Sequence, residues 1–192
     1  MVYAELCKVM GQEDSLSNNF WSAQRAAAVQ LPAIGFATTT DIQRATHPPD
    51  KQDVATRLAL ELRRVAYGEA VVSRGPELLS TVTRLVAHAA ATTVANSTLL
   101  TLRFSNSSLS SHAGILVGNA STCGNSMDGL ASDPVKKRPL SYSITGDTLS
   151  VHCSEPNGLV RVNADYTECF LYGPSGLPAP PLLLACNGTS NE

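Results

Sequence analysis

The spacing of apolar residues changes once along this chain of 192 residues, near Gly68, and that change limits the folds open to it. Up to Gly68 the periodicity is helical. Beyond it, short Val/Leu/Thr runs at 98–104, 114–117, 140–144, 148–153 and 159–162 alternate with Ser/Asn/Gly/Pro clusters. Regular short strands parted by turn residues predict a β-rich, sandwich-like module. The chain therefore divides into an α/β portion, residues 1–69, and a β-rich portion, residues 70–192.

In the first portion, Val54, Leu58, Leu62 and Val65 recur at spacings of four, four and three, which predicts a helix over 48–67 with that stripe turned inward. Pro48 and Pro49 suit a first turn, Asp50 and Asp53 suit the positive end of the dipole, and Gly68 is the natural terminator. An Ala-rich helix is expected over 22–29, capped by Ser22 and ended by Pro32. Between the two helices, residues 33–40 are apolar and β-branched, a buried strand that delivers Asp41 at its C-terminal edge. Ligands of open α/β sheets bind at that edge.

Asp41 and His47 are thus displayed on one short loop before a rigid helix. A serine hydrolase needs an imidazole to take the nucleophile's proton and a carboxylate to fix the tautomer of that imidazole. Those are the roles the pair can fill. The bland alternative is a histidine packed at a helix start and an aspartate that ends a strand. No Gly-x-Ser-x-Gly elbow or Gly-Asp-Ser accompanies the pair. Ser15 follows no strand and precedes no glycine, so it makes a poor nucleophile turn. His88 and His112 are read as structural and His152 as an exposed strand residue.

A formal net charge of −2 gives no reason to expect nucleic acid or an anionic membrane as partner, and Lys136-Lys137-Arg138 between prolines reads as a solvated loop. No apolar stretch approaches the roughly 18 residues that span a bilayer. The five cysteines lack C-x-x-C spacing, which argues against zinc, and four of them lie after residue 120, where one or two bridges can form in an oxidising compartment. Asn-x-Ser/Thr sequons at Asn96, Asn106, Asn119 and Asn187 point the same way, to a secretory, lysosomal or extracellular setting, although no signal peptide is visible. Met1 leads straight into what reads as the inside of a domain, so the chain is expected to start late.

Residues 20–37, the 41–51 segment and 52–69, with its His-Pro-x-x-Lys-Gln-x-Val-Ala-x-Arg-Leu-like block and Tyr67-Gly68-Glu69, resemble the C-terminal part of the catalytic domain of sialate O-acetylesterases. The tail, residues 159–162 and 169–182 with Leu177-Pro-Ala-Pro-Pro181, is similar to the closing β segment of that family. The resemblance implies the C-terminal portion of an SGNH-like α/β hydrolase domain followed by the β-rich module. It implies hydrolysis of O-acetyl esters on sialic acids, His47 as catalytic base, Asp41 as orienting carboxylate, and no metal or organic cofactor. The family's serine sits in an N-terminal Gly-Gln-Ser-Asn type motif that nothing here matches, and Ala45 and Thr46 replace its acid and Ile.

A fragment that is inactive alone is therefore expected, with O-acetylated sialic acid or a related sugar as substrate of the full-length enzyme and a complementing N-terminal half as a possible partner. It should expose apolar surface on Ile34, Phe36 and the Val54/Leu58/Leu62 stripe. The rival expectation is a non-catalytic glycan- or protein-binding β module with a relic esterase segment; one Trp and 5% aromatics supply it poorly.

Overall fold

The computed structural model describes residues 1–5, 14–42, 50–90, 93–105, 109–113, 131–133, 138–153, 158–163 and 169–187. It is a mixed α/β structure. Strand β1 (Val2–Glu5), helix α1 (Asp14–Gln30) and strand β2 (Gly35–Thr38) form a β-α-β unit whose strands pair in parallel, Val2 opposite Gly35 through Glu5 opposite Thr38. A parallel pair needs a crossover, and α1 is that crossover. It starts at Asp14, well before the Ser22 expected from composition, and the buried Trp21 near its middle shows that packing outweighs the weak helix formers around it. The strand is also shorter than the apolar run predicts, because Thr40–Ile42 turns into one 3-10 turn that carries Asp41.

Helix α2 (Lys51–Tyr67) begins at Lys51 because the Asp50 side chain caps it, Oδ1 accepting from the Asp53 N–H at 2.9 Å. It ends where expected, at Gly68, whose φ of 67° is the left-handed region that favours glycine. Its buried face corrects the apolar-stripe reading. Arg57 and Glu61 are the fully buried residues, Val54, Leu58 and Val65 are half-buried, and Leu62 is exposed. The helix lies so close to β2 that a Cβ on Gly35 would stand 2.5 Å from Glu61 Oε1 and 2.8 Å from Val65 Cγ2. Ion pairs are therefore built into the layer between helix and strand.

The rest is antiparallel. Strands β3 (Leu78–Ala90), β4 (Thr93–Phe104), β8 (Tyr142–Thr145) and β9 (Thr148–Cys153) form one sheet in the order β3-β4-β9-β8. Strands β6 (Ala131–Asp133), β7 (Arg138–Pro139), β10 (Leu159–Val162) and β12 (Leu182–Ala185) form another in the order β12-β10-β6-β7, and β11 (Cys169–Tyr172) pairs with β5 (Ser110–Ala113). Alternation drives the core: Leu100, Leu102 and Phe104 on β4 and Leu149, Val151 and Cys153 on β9 point inward, with Val160, Val162, Leu171 and Leu184 joining them. The expected 148–153 and 159–162 strands are observed, and His152 is exposed. The long strand β3 was not foreseen; its Ser/Thr and small residues carry little apolar alternation. The expected 114–117 strand lies outside the described residues.

Phe36, expected to be exposed, is covered within this chain, whereas Leu62 is exposed as expected. Tyr3 stacks beside it at 6.1 Å and the Arg74 guanidinium covers it at 4.2 Å from the ring centre. Ile34 is half-buried. A disulfide joins Cys153, at the end of β9, to Cys186, just past β12, across a sequence separation of 33. Closing a loop of that length stabilises by about 2–4 kcal/mol through lost chain entropy. Thermal melts should accordingly show a lower midpoint under reducing conditions, and equal midpoints with and without reductant would remove that contribution.

Candidate active site

Three carboxylates are buried around the parallel strand pair, and each meets an arginine. Glu5 closes β1 and Asp41 follows β2, so two of them stand at the C-terminal edge of the strands.

Asp41 is 1% exposed and engaged by three donors. Arg57 donates from Nη1 to Oδ1 at 2.6 Å and from Nη2 to Oδ2 at 2.9 Å, a fork-on-carboxylate pair. The same guanidinium donates to the Thr38 carbonyl at 2.8 Å and faces Asp53 Oδ2 at 2.8 Å. From the other end of the chain, the Tyr172 hydroxyl donates to Asp41 Oδ2 at 2.9 Å. Burial works against the charge on Arg57, yet the Asp41 hydrogen bond and the Asp41 and Asp53 charges hold its pKa above the ordinary value. Burial first, then the Asp41 charge, pushes the Tyr172 phenol well up, so it stays a donor. A carboxylate offers about four acceptor positions. The described residues use three, one on Oδ1 and two on Oδ2. The hydroxyl of Thr40, just before it in the chain and 2% exposed, has no hydrogen-bond partner among the described residues.

Glu5 is fully buried, its Oε1 3.0 Å from Arg25 Nε and its Oε2 accepting from the Thr38 hydroxyl at 2.9 Å. Burial pushes its pKa up despite Arg25. The neighbouring Tyr3 phenol is pushed up to about 12, by burial and then by the Glu5 charge. Glu61 gathers more donors: the Phe36 N–H at 3.3 Å, the Ser73 hydroxyl at 2.5 Å, Arg64 at 2.5 Å and Arg74 at 2.7 Å. Burial pushes Glu61 up, but the hydrogen bonds from Arg64, Arg74 and Ser73 outweigh it and hold its carboxyl below the usual range.

The two glutamates give opposite pH signs. Glu61, lowered, adds stability above its ordinary 4.5 that is lost as pH falls through its folded value. Glu5, raised, adds stability below 4.5 that is lost as pH rises through its folded value. Chemical denaturation across the acid and neutral range should show both slopes, with Glu61→Gln removing the acid one and Glu5→Gln the other. A Glu61→Gln variant that keeps the acid slope contradicts the assignment.

The sequence-derived pair is half visible. Asp41 is at the strand edge as expected, while His47, with residues 43–49, lies outside the described residues. Arg57 and Tyr172 were not singled out from sequence. Arg57 had a signal, since Asp53, Arg57 and Glu61 form an i, i+4, i+8 charge ladder beside the apolar stripe. Tyr172, 131 residues from Asp41, had none. No cluster of three metal-ligating side chains occurs among the described residues, and no helix among them is long and apolar enough to cross a membrane. A groove of about 280 Å³ lies elsewhere, against Arg64, Val72, Ser73, Arg74, Glu77 and Ser105, and does not reach Asp41.

Among solved structures, the chain is similar to a carbohydrate acetylesterase from Xanthomonas citri, with a TM-score of 0.61 over 95% of this chain and 40% of that one. The two share a fold. Identity between them is 24%, and the chain spans well under half the length of the acetylesterase. No family model matches the chain, and no curated protein sequence does either.

Proposed function

We propose that this chain is the C-terminal part of a carbohydrate acetylesterase of the sialate O-acetylesterase type. Residues 1–69 would complete an SGNH-like catalytic domain, and residues 70–192 would form a sandwich-like accessory module. The observation that carries the reading is the Asp41 carboxylate, buried at the C-terminal edge of a parallel strand pair, with one acceptor position left by the described residues and the His47 segment next in the sequence. The shared fold with an acetylesterase supports it.

The reaction is acyl transfer to water. A serine from outside this chain attacks the acetyl carbonyl, and His47 accepts its proton and passes it to the departing sugar oxygen; His47 then takes a proton from a water that attacks the acetyl-serine, and returns it to the serine as acetate leaves, with Asp41 as the carboxylate that orients the imidazole. Each step needs only side chains, so no metal or organic cofactor is called for. The Cys153–Cys186 bridge and the sequons, of which Asn187 is exposed, favour a secretory, lysosomal or extracellular setting.

Acetyl-ester hydrolysis by the chain alone, by an upstream-extended polypeptide, and by the latter carrying His47→Ala tests the proposal. Turnover is expected only in the extended, unsubstituted form. Hydrolysis by the extended form that survives His47→Ala overturns the assignment.

A further inference from the structure

The groove against Arg64, Ser73, Arg74, Glu77 and Ser105 lies where the chain passes from the last turn of α2 to β3. Its lining is held in place from behind. The buried Glu61 takes Nε and Nη2 of both guanidiniums, those of Arg64 and those of Arg74. Phe36 lies under the Arg74 guanidinium. Gly75 packs against the Leu177 and Pro178 carbonyls so closely that a Cβ there would collide with them. Ser105 Oγ accepts the Glu77 N–H at 3.0 Å, which ties Glu77 to the residue just past β4. The groove is therefore preformed, and its side chains have little to gain by rearranging.

The polar capacity left over decides what can bind. A guanidinium carries five N–H donors. Among the described residues, Arg64 keeps both N–H groups of Nη1, and Arg74 keeps one on each Nη nitrogen, the others going to Glu77 and Glu61. Glu77 accepts from Arg74 through Oε1 only, and the Ser105 hydroxyl gives no hydrogen bond to a described residue. Donors and acceptors thus share one groove with Val71 and with Val72, which is 64% exposed. Charge narrows the ligand further. Glu61 and Glu77 offset the two guanidiniums, so no net positive charge remains to hold a free anion. A volume of about 280 Å³ is at the small end of ligand pockets, which start at roughly 300 Å³.

We infer that this groove is a carbohydrate subsite that takes one neutral pyranose ring. Adjacent ring hydroxyls each donate and accept, which matches a guanidinium beside a carboxylate, and the C–H face of the ring has Val72 to lie on. The inference rests on the proposed function for its ligand class: a sugar of the acetylated glycan is held here, apart from the Asp41 edge. Open sites of this size bind in the millimolar range. Such a site adds most when a second site engages the same glycan.

Amide NMR titration of this chain tests it, with methyl glycosides of glucose, galactose, mannose and N-acetylglucosamine as probes and sodium acetate and sulfate as anion controls. At least one glycoside should give saturable shifts at Val72, Ser73, Gly75, Glu77 and Ser105, and the anions should not displace it. Val72→Asp, at an exposed position outside every hydrogen bond above, should weaken that binding by about ten-fold or more. No saturable shift with any of the four glycosides overturns the inference and leaves these residues as a latch between α2 and the chain beyond it. Displacement by acetate or sulfate overturns it in favour of an anion site, and binding indifferent to Val72→Asp overturns it by placing the sugar elsewhere. Should Val72→Asp not fold, the wild type decides. Its Val72 methyl groups should show intermolecular NOEs to ring C–H protons, and saturable shifts without those contacts overturn the inference. The readout is binding, so failure here leaves the esterase reading standing, and failed hydrolysis by the extended polypeptide leaves the subsite standing.

Discussion

His47→Ala in an upstream-extended polypeptide should lower kcat for acetyl-ester hydrolysis by roughly a million-fold, the loss seen when the base of a serine hydrolase is removed. The reason is the cooperative nature of the machinery. A serine hydroxyl is a poor nucleophile unless its proton leaves as the bond forms, and the imidazole both takes that proton and returns it. KM should change little, since the imidazole contributes to the transition state far more than to ground-state binding. A residual rate would remain from oxyanion stabilisation and substrate positioning. The measurement is single-substrate kinetics on a chromogenic acetyl ester with melting curves run in parallel. A loss of only a few-fold, with the fold intact, would take His47 out of the mechanism.

The second large effect is on stability. Arg57→Met should lower the unfolding free energy by about 3–5 kcal/mol, the cost of leaving a buried carboxylate without its counter-ion. Arg57 satisfies three acceptors that have no access to bulk water through it: the Thr38 carbonyl and both Asp41 oxygens, with Asp53 alongside. Against a typical margin of 5–15 kcal/mol that is a large fraction, and urea unfolding should register it as a lower midpoint with an unchanged slope. Adding Asp41→Asn to Arg57→Met should recover part of the loss, because the stranded charge goes while its hydrogen-bonding shape stays. Strict additivity in that double-mutant cycle would show that the two side chains do not act on one another. Arg57→Lys should fall in between, as one ammonium cannot span both carboxylate oxygens.

How far the chain could be read in advance follows from where its information is local. The end of α2 at Gly68, the hairpin from β8 into β9 and the strand 159–162 are written in short-range signals: one left-handed glycine, one turn, a few alternating residues. The position of Asp41 was legible for the same reason, since a run such as 33–40 has to end at a sheet edge. The inward face of α2 does not follow from apolar spacing alone. Arg57 and Glu61 are buried by specific partners, Asp41 for one and Ser73 with Arg74 for the other, and all three partners lie in another element or in the connection beyond the helix. The Tyr172–Asp41 contact joins residues whose neighbourhoods share no pattern at all. Only the folded chain brings them together.

The contacts between residues 1–69 and the later part of the chain have a material consequence. They are polar fasteners, Glu61 to Ser73 and Arg74 on one side and Asp41 to Tyr172 on the other, and the greasy interior belongs to the β sheets behind them. A seam of this kind is wetted readily once parted, so a partly opened molecule exposes groups that water welcomes and gains little drive to clump. It also closes in one geometry only, because each fastener demands its own angle and distance.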